Sequence, residues 1–462
     1  MLKRAPLEAD IGATEYFQRI RHLGEAILLD SGRPACERGR YDIISAAPLA
    51  TLSCSDGVLN ARNLPFELGE HTAFSALEKL QAWGIEQGYQ SSENTGELPF
   101  CGGLMGYFSY DLGRTLEQMP SIAKHDLTLP QMHLGLYGWA VIIDHQTASA
   151  ELIASALVSA QQFDELLQTI TTPSAISNKK FLLKEELASE ISEDTYMDAL
   201  ARIQEYILAG DCYQVNFAQR FSADCEGDPW HAYQSLRLAA PTHFSAFIDT
   251  AEGAILSLSP ERFLAVDRDG AVMTQPIKGT QPRGETPDQD EANRAFLANS
   301  PKDRAENLMI VDLLRNDISK SCEPHSVKVP SIFAIESYRN VHHLVSTITG
   351  QLSPDHSALG LLQHAFPGGS ITGAPKIRSM QIIDELETHR RSIYCGSIGY
   401  FSFCGNMDTS ITIRTLLVEK DRIYCWAGGG IVADSKPAAE YQETFDKVNN
   451  LLRTLHSEHL AV

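Results

Sequence analysis

Three β-rich stretches stand close together near the end of the chain: "SIYCGSIGYFSF" at 392–403, "MDTSITIRTLLV" at 407–418 and "RIYCWAGGG" at 422–430. Only "CGN" and "EKD" join them. A parallel crossover needs a dozen or more residues, so connections this short force antiparallel neighbours. The stretch "GLYGWAVIIDHQTASAELIAS" reads as a hairpin with its turn near 145–147, and "AILLDSG" as a strand ending in a turn. Residues 301–316, 375–386 and 437–455 read as helices, each with a proline near the first helical position, where the missing N–H costs nothing. Antiparallel strands beside separate helices imply an α+β fold. Antiparallel β-sheets form a layered core, with helices packed outside, and alternating βαβ units are excluded.

At 462 residues the chain exceeds one ordinary domain. Two polar stretches, "QSSENTGELP" at 90–99 and "TTPSAISNKK" at 171–180, read as loops. The second separates an N-terminal region, 1–175, from a larger region, 190–455. The 59 acidic residues outnumber the 38 basic ones, and the net charge of −21 argues against a nucleic-acid surface. A small anionic substrate stays open, because local donors or a metal can reverse the field inside a cleft. No apolar run reaches the roughly 18 residues of a membrane span. "MLKRAPLEAD" is interrupted by Glu8 and Asp10, so no secretory leader is expected. Nine cysteines without a C-x-x-C pair suggest reduced thiols in a cytoplasmic protein.

The segment "SPKDRAENLMIVDLLRND" carries a carboxylate in an unusual place. Ser300 suits the N-cap, with Asp303 three residues on. At 100° per residue, Glu306 falls among Met309, Ile310 and Leu313, while Asp312 and Arg315 fall opposite. A buried carboxylate must be protonated, paired or bound to a metal, and a Glu–Arg pair or a solvent-reaching helix end satisfies the same pattern. In "PAAEYQETFDKVNNLLRTL", Glu440, Glu443 and Lys447 lie at i, i+3 and i+7, beside a stripe of Tyr441, Phe445, Val448, Leu452 and Leu455. A solvated face with a Glu443–Lys447 pair is the simpler alternative. Carboxylates from separate helices, without His or Cys, suit a hard cation such as Mg²⁺.

Donors for an anion come from other segments. "FPGGSITGAPK" is a glycine-rich loop leading to a helix N-terminus, where free N–H groups and the helix dipole favour negative charge. Ala374 stands where a Walker loop needs lysine, which weakens a nucleotide reading. "AGGGIVADS" is a second glycine run before the carboxylate helix. Alternation places Arg414 on one strand face with Ser410 and Thr412. Glu261, in "LSLSPERFL", starts a strand that a hairpin turning at 267–270 joins to the strand of Lys278. Lys278 itself lies in "TQPIKGTQPRG", a bend restricted by Pro276, Gly279 and Pro282.

"GDCYQVNFAQRF", "SLSPERFL", "PIKGTQPR", "DRAENLMIVDLLRND", "PGGSITGAPK", "YCGSIGY" and "GGGIVADSKPAAEYQET" together resemble the chorismate-utilising enzymes. "FCGGLMGYFSYDLGR" and "LLDSG" extend the resemblance over the N-terminal region. It implies Mg²⁺ held by Glu306 and Glu443, with Glu440 nearby or bonded through water. It implies contacts of the chorismate carboxylates with Arg414, Tyr394, Lys447 and N–H groups around Ser370, Gly428 and Gly429. Thr280 and His343 match further active-site positions, and Glu261 matches the general acid for hydroxyl departure. "PIKGT" resembles the branch that makes 4-amino-4-deoxychorismate for folate biosynthesis, with Lys278 adding to C2. The alternative is the anthranilate branch, which has "PIAGT". Ammonia is implied as co-substrate. No G-x-C-x-G segment is present, so the resemblance implies a separate glutamine amidotransferase subunit as partner. In anthranilate members a tryptophan site lies near segments that here hold Ser31, Arg38, Gly39, Arg40, Tyr41, His243, Phe244 and Ser245. Asp30 stands where inhibitable members often have Glu.

Overall fold

The computed structural model describes residues 1–36, 39–89, 95–173, 179–338 and 341–460. Among the described residues, two antiparallel sheets form the centre, one of 13 strands and one of 11. The hairpin expected at 145–147 is present, with Trp139–Asp144 paired to Ser149–Ala154. Parts of both polar loops, 90–94 and 174–178, lie outside the described residues.

Alternation along the strands builds the layers. In the strand Tyr41–Ser45, Ile43 points into the core between the sheets and Ile44 into a second core on the outer face of the larger sheet. Ile142 and its neighbours Val141 and Ile143 divide in the same way. Both faces of the larger sheet are therefore buried at these central strands, which read as apolar runs rather than as half polar. Val448, Leu451 and Leu455 of the helix Pro437–His459 cover the outer core, together with Trp230 and Tyr233 of Pro229–Ala239. The helix Ala73–Gly88 packs Phe74, Leu77 and Leu80 against the smaller sheet, within the cluster that also fills the space between the sheets. These are the helix layers expected outside the sheets.

Both sheets take strands from the 1–175 region and from the 190–455 region. In the larger one, Ile27–Asp30 lies against Phe244–Asp249. In the smaller one, Gly103–Phe108 lies against Ser397–Ser402.

Two local expectations are corrected. Residues 407–418 are not one strand: Met407–Ile411 belongs to the smaller sheet and Thr415–Glu419 to the larger. The chain crosses between sheets at Thr412–Arg414, where Arg414 has φ 50°. Arg414 therefore does not share a strand face with Ser410 and Thr412. Second, the hairpin after Glu261 returns on Ala271–Thr274, and Lys278 lies on the following strand, Ile277–Pro282. That strand shifts register against Val341–Gln351 between Ile277 and Thr280. Gly279 makes the bulge possible with φ 81°, and a Cβ there would stand 2.8 Å from Leu297 and 2.9 Å from Asp303.

All nine cysteines are buried and free. No described helix is long and apolar enough to cross a membrane.

Candidate active site

The bulge places Lys278 in a cavity of about 720 Å³. The larger sheet supplies Asn216, Trp426, Ala427, Gly428 and Gly430. The smaller sheet supplies Ile277–Pro282 and His343. The helices Pro301–Ser319 and Pro437–His459 bring Glu306, Glu440, Glu443 and Lys447, and the crossing between sheets brings Arg414. Glu261, Thr280, Ser370, Tyr394 and Gly428 also line it. Gly429 faces the carboxylate helix: a Cβ there would meet Glu440 at 3.2 Å and Glu443 and Lys447 at 3.5 Å.

A lysine faces each of Glu306, Glu440 and Glu443. Lys278 Nζ lies 3.2 Å from Glu306 Oε1 and donates to the Ser370 carbonyl at 2.9 Å. Lys447 lies 2.7 Å from Glu443, which is the helical pair expected at this spacing. Lys302 lies 3.5 Å from Glu440, whose other partner is the Ser435 hydroxyl at 2.7 Å. Glu306 also accepts from Gln214 Nε2 at 2.8 Å. It is thus paired with lysine rather than with the arginine of the simpler alternative, and the Ser300 hydroxyl caps its helix as expected.

Burial and charge compete at each group. Burial favours the neutral amine of Lys278, but Glu306, then Glu261 and Glu443, outweigh it and raise its pKa. Glu306 is pushed up by burial and pulled below the usual carboxylate range by Lys278. Glu261 moves the other way. It is 5% exposed, and burial raises its pKa against the opposing pull of Lys278, Ser370, the Ile277 N–H and Arg414. Burial lowers the Arg414 pKa, opposed only by Glu261. An arginine remains ionised under such pressure, so Arg414 presents a charge suited to a substrate carboxylate.

The glycine loop contributes differently from the expectation. Ser370 and Ile371 line the cavity, while Gly373–Ala374 pairs with Gln214–Val215 before the helix Lys376–Leu386 begins. Pro375 is the N-cap rather than the first helical residue. The helix's first turn is not part of the cavity lining, and Lys376 turns to Asp317 at 2.6 Å. Behind the wall, buried Arg391 donates to the Asn216 carbonyl at 2.7 Å and the Ile371 carbonyl at 2.8 Å. It thereby fixes the strand and the loop together.

Sequence reasoning passed over Asn216, Gln214, Lys302 and Trp426. The first two had a signal: polar residues at i and i+2 in a strand otherwise built for burial. Lys302 had one too, four residues before Glu306 on the same helix. Trp426 had none, since an indole in a buried strand reads as core. Its ring lies nearly parallel to Tyr394, with 6.2 Å between centroids.

A second cavity, of about 220 Å³, is lined by Ser31, Gly39, Arg40, Tyr41, His243, Phe244 and Ser245. Arg38 lies outside the described residues. Among the described residues, Ser31 Oγ is buried with no hydrogen-bond partner. The Asp30 carboxylate is filled by Arg237 at 2.7 and 2.9 Å, Tyr233 at 2.9 Å and the Gly32 N–H at 2.8 Å.

The chorismate binding enzyme family matches residues 25–453. Over 447 residues the chain is 49% identical to aminodeoxychorismate synthase component 1 of Klebsiella aerogenes, covering 96% of this chain and 97% of that protein. It is 34% identical to anthranilate synthase component 1 of Pseudomonas putida, covering 93% and 89%. The crystal structure of anthranilate synthase component I from Streptococcus pneumoniae TIGR4 superposes with a TM-score of 0.79 at 32% identity, covering 90% of this chain and 93% of that one. With these matches along almost its whole length, the chain belongs to the chorismate binding enzyme family.

Proposed function

We propose that this chain is the chorismate-aminating component of an aminodeoxychorismate synthase, converting chorismate and ammonia to 4-amino-4-deoxychorismate. The observation that carries this reading is Lys278 Nζ inside the cavity, held by Glu306 and the Ser370 carbonyl, with buried Glu261 on the same wall. An anthranilate synthase is the weaker reading, given 34% identity against 49%.

Arg414 and Lys447 bind the substrate carboxylates. The neutral amine of Lys278 attacks C2, both ring double bonds shift by one position, and the C4 hydroxyl leaves as water with the proton of Glu261. Ammonia then bonds to C4 and the double bonds shift back. The C2–N bond breaks with its electron pair returning to Lys278, and the surplus proton on the new amine restores Glu261. Lys278 attacks only after losing its proton. Burial favours that form, and whatever neutralises Glu306 releases it.

The all-oxygen set of Glu306, Glu440 and Glu443 fits Mg²⁺. Among the described residues no ready-made cage of three metal-ligating groups exists. Mg²⁺ needs none, since it keeps several waters and binds through one or two carboxylates. Glu306 and Glu443 would hold the ion, with Glu440 beside them, and the bound ion would supply positive charge for the substrate's carboxylate. A glutamine amidotransferase subunit supplies the ammonia, as the name component 1 of the relatives suggests.

Chromatography of the product tests this function. Chorismate, Mg²⁺ and an ammonium salt are expected to give 4-amino-4-deoxychorismate, and EDTA is expected to abolish turnover until Mg²⁺ is restored. Anthranilate as the product would sink the reading. Tryptophan is the ligand that the family likeness suggests for the second cavity. Titration calorimetry is expected to give a saturable heat, lost in Ser31→Phe; no heat from the wild type would remove that assignment.

A further inference from the structure

We propose that the carboxamide of Asn216 receives the ammonia molecule, its Oδ1 accepting an ammonia N–H while the nitrogen lone pair is turned toward C4. The inference rests on the amination reading above. Of the cavity-lining side chains, two carry a buried polar atom with no hydrogen-bond partner among the described residues: Asn216 Oδ1 and Trp426 Nε1. Such atoms are costly unless something pairs with them. Trp426 offers only a donor. Asn216 offers an acceptor; its Oδ1 is itself buried, and the residue as a whole is 8% exposed.

Its placement beside Lys278 is fixed from both sides. The Asn216 N–H donates to the Thr372 carbonyl at 2.8 Å, in the loop whose Ser370 carbonyl holds Lys278. Its own carbonyl accepts from Arg391 at 2.7 Å. Gln214, two residues earlier and so on the same strand face, holds Glu306, the other partner of Lys278. Opposite Asn216 stands Gly430. A Cβ at Gly430 would meet Gln214 Nε2 at 1.9 Å and Glu306 at 2.8 Å, so this face has room only because that side chain is absent.

The chemistry of the acceptor decides the ligand. The charged acceptors that act on Lys278, namely Glu306, Glu261 and Glu443, are carboxylates, and a carboxylate favours ammonium, which has no lone pair to give. A carboxamide oxygen is too weak a base to take the proton and accepts a hydrogen bond from neutral ammonia. The oxygen offers no donor to a substrate carboxylate, so a change in ammonia KM alone separates its role from that of Arg414 and Lys447.

The test uses the full chain with Mg²⁺, chorismate and ammonium chloride, the product being resolved by chromatography. Asn216→Leu keeps the branched side-chain shape and removes the acceptor. Its KM for ammonia is expected to rise about tenfold, with the KM for chorismate within about twofold of wild type. Asn216→Ser restores an oxygen, and an ammonia KM between wild type and Asn216→Leu is expected. A wild-type ammonia KM in Asn216→Leu, or a chorismate KM that rises in step, overturns the assignment. Should Asn216→Leu not fold, Asn216→Ser decides by the same split, and a wild-type ammonia KM there overturns it. A wild-type chain that consumes chorismate without aminating it overturns the reading of function, and this inference with it. Amination by wild type with no effect on ammonia KM overturns this inference alone.

Discussion

Lys278→Ala is expected to lower kcat/KM for amination by on the order of 10³-fold or more, roughly 4 kcal/mol of transition-state stabilisation. Chorismate affinity should change far less, because Arg414, Tyr394 and Lys447 remain in the cavity. Lys278→Arg separates nucleophile from charge. It keeps a cation opposite Glu306, now 3.2 Å from the lysine nitrogen, but a guanidinium does not deprotonate. Both variants are therefore expected to be inactive, with only Lys278→Arg retaining the ion pair in the cavity wall. A steady-state assay paired with calorimetric binding of chorismate checks this. Full-rate amination by Lys278→Ala would remove the role given to the lysine.

Glu261→Gln is expected to cost about 10²- to 10⁴-fold in kcat and to make the protein more heat-stable. The two effects share one cause. Burial raises the Glu261 pKa above its value in the unfolded chain, which keeps the acid form available for hydroxyl departure. The folded state then binds the proton more tightly than the unfolded one. Stability is full below the unfolded pKa and falls as pH rises through the folded pKa, because the buried group must ionise. Glutamine never ionises, so the gain in Tm over wild type should grow across that window and level off above it. The wild-type rate should also fall on the alkaline side as the acid is lost, a limb absent from Glu261→Gln. Thermal melts and pH–rate profiles of the two proteins measure both. A lower Tm for the variant at alkaline pH would contradict the account.

Much of the site was legible because its residues break local rules. Glu306 interrupts an apolar helical stripe, Lys278 sits on a stiff bend, and glycines gather where strands end; the structure brings these segments to one cavity. Helix starts were readable from Ser300 and Pro437, whose positions at the N-cap and first turn follow from local chemistry. The crossing at Thr412–Arg414 was not. Alternation continues through "SITIRTLL" because strands of both sheets share the same period of two, and no glycine or proline marks the change of sheet. The place of Arg414 was misread for that reason, although the residue itself was picked out. Lys278 was assigned one strand too early because Pro276 breaks the path without reversing it. Asn216 carried a signal, a polar residue two after Gln214 in a buried strand, but its unpaired Oδ1 shows only in the packed structure.

The central claim is a covalent bond between Lys278 and C2 of the ring, and mass spectrometry of the quenched enzyme tests it most directly. Wild-type protein incubated with chorismate and Mg²⁺, without ammonia, is then acid-quenched and digested. The account predicts a peptide carrying Lys278 heavier by chorismate less one water, present in wild type and missing from Lys278→Arg. Unmodified Lys278 under the same conditions, in enzyme that makes 4-amino-4-deoxychorismate once ammonia is added, would contradict it.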